Sequence, residues 1–375
     1  MKKFVLVPDS FKGTLSSTKI CEIMTERIKE HFESAEIISI PVADGGEGSV
    51  DCFLTALGGE KVYQKVSNPY FEEMNAFYGI IQGGKTAVIE MAAAAGLPLV
   101  ENRKNPTKTT TYGVGELILS AAKRGVQKII IGLGGSCTND FGCGAAAACG
   151  VKFFNDNGEE FIPVGGTLAD VKKVDFSNKS KLFDKIEIVA MCDIDNPPYG
   201  KNGASEVFSR QKGASEEQVA ILDKNVKCLC DLFERENKIQ LSTLAGGGAA
   251  GAMGAGMVAF FDAKLKMGID TVLDTVDFDN VVKYSDIVFT GEGKIDSQSL
   301  RGKVVIGVAR RAKNYLVPVV AVVGGAEGDM TKAYDEGVTS VVTINRLPED
   351  FSVSRYKSED NLKFSFDNFL RLLKI

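Results

Sequence analysis

The feature that most constrains this chain is an alternation of strand, loop and helix that runs at both of its ends. Residues 3–7 are mostly apolar and β-branched, and Ile20, Ile23, Met24, Ile28 and Phe32 then share one helical face. Residues 37–42 form a second apolar run, followed by Val50, Phe53, Leu54 and Leu57 at helical spacing up to Gly58-Gly59. The pattern returns late in the chain. Strand-like 287–290, a helix after Gly302, strand-like 317–323, a helix near 330–336 and strand-like 340–344 precede a closing amphipathic helix at 361–373. Five such strands with helices between them predict one parallel, helix-covered sheet, a doubly wound, Rossmann-like α/β domain.

At 375 residues the chain exceeds the size at which one hydrophobic core stops growing, about 250 to 300 residues, so two domains with a cleft are expected. If both ends build one sheet, the middle is inserted. The expected division is a discontinuous Rossmann-like domain, 1–67 with 283–375, and an inserted mixed α/β domain, 68–282. The insert opens with short runs at 76–81 and 86–91 around Gly83-Gly84, the pattern of a β-hairpin. It then alternates again: helix 114–124, strand 128–133 and strand 187–191.

In parallel sheets the loops beyond the carboxyl ends of the strands gather ligands. Here those loops are PDSFKG at 8–13, ADGGEG at 43–48, TGEGKIDSQS at 290–299, GLGGSCTND at 132–140 and CDIDNP at 192–197. Phosphoryl transfer needs backbone N–H groups and a cation around phosphates, carboxylates for a divalent metal, and a base near the acceptor hydroxyl. Gly134, Gly135, Ser136, Thr138 and Asn139 suit the first need, and Lys12, Lys294 and Lys303 supply charge. Asp44, Glu47, Asp193, Asp195, Glu292 and Asp296 offer hard oxygen ligands and bases. Taken singly, each loop also reads as a turn or a helix cap; their recurrence at strand ends is what suggests a site.

Two formal motif matches read better as structure. GIIQGGKT at 79–86 satisfies the P-loop pattern, yet a strand-like run follows it where a helix is required, so a hairpin turn is the better reading. GGGAAG at 246–251 matches GxGxxG, but no clear strand precedes it, and packing of the small-residue helix that follows is an equal reading. The single histidine, His31, late in an amphipathic helix, makes Ser-His-Asp and Cys-His mechanisms improbable. The net charge of -5 provides no basic field for nucleic acid or an anionic membrane. Eight scattered cysteines lack zinc spacing and read as reduced thiols. Pro8 and Asp9 interrupt the first apolar run, so neither a signal peptide nor a membrane span is expected, and the chain is expected in the cytoplasm.

The motifs, in order, resemble the bacterial type-1 glycerate kinase family: PDSFKG at 8, ADGGEG at 43, AVIEMAAAAGL at 87, GGSCTND at 134, CDIDNP at 192, QKGA at 211, TGEGKID at 290 and GKVVIGVA at 302. The resemblance implies ATP-dependent, Mg²⁺-assisted phosphorylation of D-glycerate by a two-domain α/β protein, with the 2-hydroxyl favoured. The chain departs from the family pattern at Phe141, where a glycine is usual, at Ser209-Arg210, where Gly-Pro is usual, and at Val305, which replaces a frequent Pro.

On that resemblance, the expected metal-side carboxylates are Asp193 and Glu292. Asp44 or Asp296 orients or deprotonates the glycerate hydroxyl, Lys12 neutralises the substrate carboxylate or the transferring group, and Asp193 joins these three as catalytic. Ser10, Lys12, Glu47 and Lys303 are expected at the substrate. Gly134, Gly135, Ser136, Thr138, Asn139, Gly291 and Gly293 are expected at ATP. Expected partners are D-glycerate and ATP, with no nucleic acid or membrane, for a monomer or homodimer. A kinase for a related sugar acid and a non-catalytic small-molecule sensor are the alternatives.

Overall fold

The structure is a computed structural model that describes residues 2–43, 45–296, 299 and 303–374. In chain order its strands are β1 (Lys3–Pro8), β2 (Glu36–Ser39), β3 (Glu60–Ser67), β4 (Glu73–Ile81), β5 (Thr86–Glu90), β6 (Lys128–Gly132) and β7 (Lys152–Phe154). There follow β8 (Glu160–Phe161), β9 (Lys173–Asp175), β10 (Glu187–Met191), β11 (Lys264–Lys266), β12 (Ile287–Ile295), β13 (Val319–Ala326) and β14 (Val338–Thr343). The chain divides into two compact units, Met1–Asp44 with Asp51–Leu57 and Ile269–Ile375, and Gly45–Val50 with Gly58–Gly268.

The first unit holds a parallel sheet in the order β14-β13-β12-β1-β2. Taken in sequence within this unit, the order is that of a doubly wound fold whose direction of winding reverses between β1 and β12. Every residue of β1 from Phe4 to Val7 is fully buried, as a strand covered on both faces requires. Phe4 and Leu6 enter one core with Phe289 and Phe366, the last two meeting edge to face at 4.8 Å. The helices Ser17–His31 and Ser358–Leu372 pack together on that side, and Val304–Lys313 lies against β12. Ser16 caps the first of these helices by accepting the Lys19 N–H at 3.1 Å. His31 ends that helix with its Nε2 3.2 Å from Asp367.

The second unit is built on the order β11-β10-β6-β5-β4-β3, with a small antiparallel sheet β8-β7-β9 beside it. β5, β6, β10 and β11 are parallel, while β3, β4 and β5 form antiparallel pairs. The P-loop-like segment is the hairpin that joins β4 to β5, with Gly83 left-handed at its turn. The expected division put 60–67 with the chain ends. By contacts the border lies at Leu57, because β3 pairs with β4 along its whole length.

One further expectation changes. The segment expected as a loop from 290 is strand as far as Ile295, so Gly291, Glu292 and Gly293 stand on β12. β13 runs on beside it, pairing Lys294 with Gly325 and Ile295 with Ala326. A β-carbon at Gly291 would lie 2.1 Å from the Val322 carbonyl oxygen, so close packing of β12 on β13 requires glycine there.

The segment matching GxGxxG leads into the helix Ala249–Phe261, whose small residues bring it onto the loop after β6. A β-carbon at Gly256 would lie 1.8 Å from the Phe141 carbonyl oxygen, and one at Gly251 2.1 Å from that of Thr138. Gly256→Ala is therefore expected to destabilise the protein by about 1–3 kcal/mol through overpacking. Gly325→Ala, where no atom lies within 4 Å of the added carbon, is expected to be near neutral; urea denaturation of both variants checks the contrast.

Candidate active site

In the first unit the reversal of winding opens a crevice between the carboxyl ends of β1 and β12. The Asp9 N–H donates to the Gly291 carbonyl at 2.8 Å, and the Asp9 carboxylate accepts the Ser10 N–H at 2.6 Å. Phe11 N–H donates to the Leu15 carbonyl at 2.8 Å, closing a tight loop on which Lys12 is exposed and Ser10 half-buried. The lack of a side chain at Gly293 brings β12 against this loop, with the β-carbon position 3.3 Å from the Lys12 nitrogen.

Glu292 is the buried acid of this crevice, 7% exposed, and its Oε1 has no hydrogen-bond partner among the described residues. Burial raises its carboxyl to about 7; Asp9 and Asp296 push the same way, while the Ser299 hydroxyl and the Lys303 charge oppose them. Asp296 is half-buried and exchanges bonds with Ser299, giving its N–H to Ser299 Oγ and accepting the Ser299 N–H, both at 3.3 Å. Lys303 sits at the start of the helix Val304–Lys313, and Lys294 pairs with Glu327. The structure thus groups Asp9, Glu292, Asp296, Ser299 and Lys303. Asp44 lies outside the described residues.

In the second unit the four parallel strands end in one row: Glu90 pairs with Gly132, Gly132 with Met191, and Met191 with Lys266. The loops that follow begin side by side for that reason. The Asp193 carboxylate accepts the Gly268 N–H at 2.7 Å, where the helix Gly268–Thr275 starts, so one of its oxygens is engaged in capping. Gly134 N–H donates to the Gly45 carbonyl at 3.1 Å. Glu47 is exposed. The buried Glu90 carboxylate accepts the Val50 N–H at 2.7 Å and so holds the first turn of the helix Ser49–Leu57.

Within the loop after β6, Gly135 is exposed and Gly134 half-buried, whereas Ser136, Thr138 and Asn139 are buried. Thr138 Oγ1 and Asn139 Oδ1 have no partner among the described residues, and Asn139 Nδ2 donates to Ser205 Oγ at 3.1 Å. Asp140 is fully buried and accepts from Thr111 N–H, Thr111 Oγ1, Gly142 N–H and Gly144 N–H. Burial raises its pKa, and those four donors pull the other way. Phe141 is left-handed, with φ 59°, and its ring stacks on Phe233 in the core. A bulky residue at positive φ is uncommon; here the buried ring accompanies a conformation usually left to glycine.

Lys212, on the short turn Arg210–Lys212, was not singled out from sequence, yet its ammonium is buried behind this loop. Nζ donates to Ser136 Oγ and to the Thr138 carbonyl, both at 2.7 Å. Glu90 and Asp140 were missed likewise. Each falls inside a motif, AVIEM or SCTND, but no spacing distinguishes a buried acid from a solvated one. Among the described residues no group of three or more His, Cys, Asp or Glu is arranged to hold a metal ion.

The sequence model of the glycerate kinase family matches residues 4–374. The chain belongs to the glycerate kinase family. It is 41% identical to a glycerate kinase of Bacillus cereus over 100% of its own length and 98% of that protein. It is also 41% identical to a glycerate 2-kinase of Escherichia coli, covering 91% of this chain and 90% of the relative. A crystal structure of a candidate glycerate kinase 2 from Salmonella typhimurium LT2 superposes with a TM-score of 0.89 at 37% identity, covering 100% of this chain and 98% of that one. This glycerate kinase family member has no helix, among its described residues, long and apolar enough to cross a membrane.

The Glu292 carboxyl gives a pH test. Its pKa in the fold, about 7, lies above an unfolded glutamate's, about 4.3. The stability it contributes is therefore complete below the unfolded value and lost as pH rises through about 7. Glu292→Gln is expected to remove that loss, on the order of 1 kcal/mol or more between mildly acidic and mildly alkaline pH. Urea midpoints of both proteins across that range measure it.

Proposed function

We infer that the protein transfers the γ-phosphoryl group of ATP to D-glycerate, at the 2-hydroxyl rather than the 3-hydroxyl. The observation that carries this reading is the match of the family along residues 4–374, because it takes in both the crevice beside β1 and β12 and the row of loops in the second unit. The 41% identity to a glycerate 2-kinase supports the choice of hydroxyl. Of the alternatives, no observed feature favours a sensor, and a related sugar acid remains as a comparison in the substrate panel.

Mg²⁺ suits hard carboxylate oxygens such as Glu292 Oε1, which has no hydrogen-bond partner among the described residues. Glu292 in the first unit and Asp193 in the second are each proposed as a metal-side carboxylate, and so small a protein contribution suits an ion that takes its other ligands from phosphates and water. When bound, the ion supplies neutralisation of charge on the transferring group. The chain's own part is positioning. The backbone and polar groups at Gly134, Gly135, Ser136, Thr138, Asn139, Gly291 and Gly293 are assigned to ATP. Ser10, Lys12, Glu47 and Lys303 are assigned to glycerate, with Lys12 balancing its carboxylate or the phosphoryl oxygens.

Asp296, held by Ser299, orients the acceptor hydroxyl and takes its proton late in a loose transition state. Asp44 shares that assignment. The exposed Lys12 is suited to meet a small anion from solvent. The proposed setting is a cytoplasmic monomer or homodimer with no nucleic-acid or membrane partner.

Asp296→Asn, Asp44→Asn and Asp193→Asn are each expected to lower turnover, by about 10²–10⁴ for the residue acting as base, with circular dichroism unchanged. Near-normal turnover in all three would sink the role assignments. Phosphorus NMR of the product, with D-glycerate and tetronates as competing acceptors, decides both hydroxyl and substrate; a 3-phospho product or a preferred tetronate would overturn the choice of 2-hydroxyl or of D-glycerate.

A further inference from the structure

Lys212 poses a problem of charge. An ammonium has three donors and no acceptor, and two of its donors go to Ser136 Oγ and the Thr138 carbonyl at 2.7 Å. Neither partner carries charge. The nearby Asp140 carboxylate is taken up by Thr111, Gly142 and Gly144, and no carboxylate lies within ion-pairing distance of Lys212 among the described residues. Burying an ammonium without a counter-ion is costly. A retained charge of this kind calls for an anion.

The same bond fixes the role of Ser136. Because Lys212 can only donate, Ser136 Oγ must accept from it, and the serine proton is left for another acceptor. No described residue accepts it. Near it in the loop stand the exposed Gly135 and the half-buried Gly134, and the buried Thr138 hydroxyl has no partner among the described residues. Hydroxyl donors and a positive charge behind a glycine-rich turn are what a phosphate oxygen requires.

We propose that Lys212 makes the loop of residues 134–139 an oxyanion site, holding Ser136 as a hydrogen-bond donor to a phosphate oxygen of the nucleotide. This rests on the assignment of that loop to ATP. Lys212 does not touch the phosphate in this arrangement; it is a positioning residue that acts through Ser136 and through its charge. The groups that face it are the Asp140 carboxylate and the Cys137 thiol, and burial keeps that thiol neutral by pushing it up to about 12. Burial also brings the Lys212 ammonium down to about 8, with Asp140 and Cys137 opposing. A phosphate bound at Ser136 favours the charged ammonium, so binding raises that value and takes up a proton. Affinity is then complete below about 8 and declines as pH climbs beyond it.

The test is calorimetric titration of the full-length protein with ADP from about pH 7 to pH 9, a range that brackets the depressed lysine, in paired buffers of different ionisation enthalpy. Wild type is expected to lose affinity several-fold across this range and to take up protons on binding near its upper end. Lys212→Met is expected to bind about tenfold more weakly at pH 7, with no such slope and no proton uptake. Ser136→Ala is expected to weaken ADP binding as well. A purely structural lysine would lower the melting temperature and leave the slope intact. A flat wild-type profile without proton uptake overturns the proposal whether or not the variants fold. If Ser136→Ala weakens ADP but Lys212→Met keeps the wild-type slope, the proposal falls and the nucleotide loop stands; if neither variant alters ADP affinity, both fall.

Discussion

Parallel strand pairing is the constraint on which the rest depends. A parallel ladder cannot be closed by a two-residue turn, so every strand returns by a crossover and all its carboxyl ends face one way. In the second unit that puts Glu90, Gly132, Met191 and Lys266 in one row and begins four loops beside one another. In the first unit it sets β1 beside β12, so that Asp9 meets Gly291 although the whole second unit intervenes in the sequence. Within each unit, the polar groups proposed for phosphoryl transfer are thus brought together by hydrogen bonds that carry no information about chemistry.

What surrounds those groups is mainly a matter of burial. Glu292, Asp140 and Lys212 are all ionisable and all nearly sealed from water, yet the fold treats them differently. Asp140 receives four donors and ties Thr111 to the turn at Gly142 and Gly144. Glu292 keeps an oxygen without a partner among the described residues, and its pKa rises accordingly. Among the described residues Lys212 is bonded only to neutral oxygens. A satisfied buried acid is a structural device, whereas an incompletely satisfied one keeps the capacity to meet a ligand.

The framework was legible because its signals are periodic. Apolar runs and helical spacings at 3–57 and 287–373 sufficed to expect one five-stranded parallel sheet made from both ends, and the hairpin at Gly83 followed from a strand-like sequel. The strand at 291–295 was missed because its glycines and charges resemble a loop; they are tolerated since β13 is equally glycine-rich alongside. For the candidate site, residue type singled out Glu292, Asp296 and Ser136, and the structure adds their burial and partners. Lys212 falls inside the QKGA motif, yet nothing in the sequence marks it as buried, since its meaning comes from the distant loop it supports.

The division of the chain into units carries a consequence for its birth on the ribosome. The polypeptide passes from one unit to the other at Gly45, back at Asp51, out again at Gly58 and home at Ile269. β1 precedes the second unit in the chain, yet one of the strands that flank it, β12, follows the whole of that unit. During translation the apolar run from Phe4 to Val7 has only β2 for a neighbour, with its other edge unpaired, while the second unit already has nearly all its strands. The order of synthesis therefore favours the inserted unit as the earlier one to fold, and makes the exposed edge of β1 the segment that a chaperone or a second nascent chain would meet first.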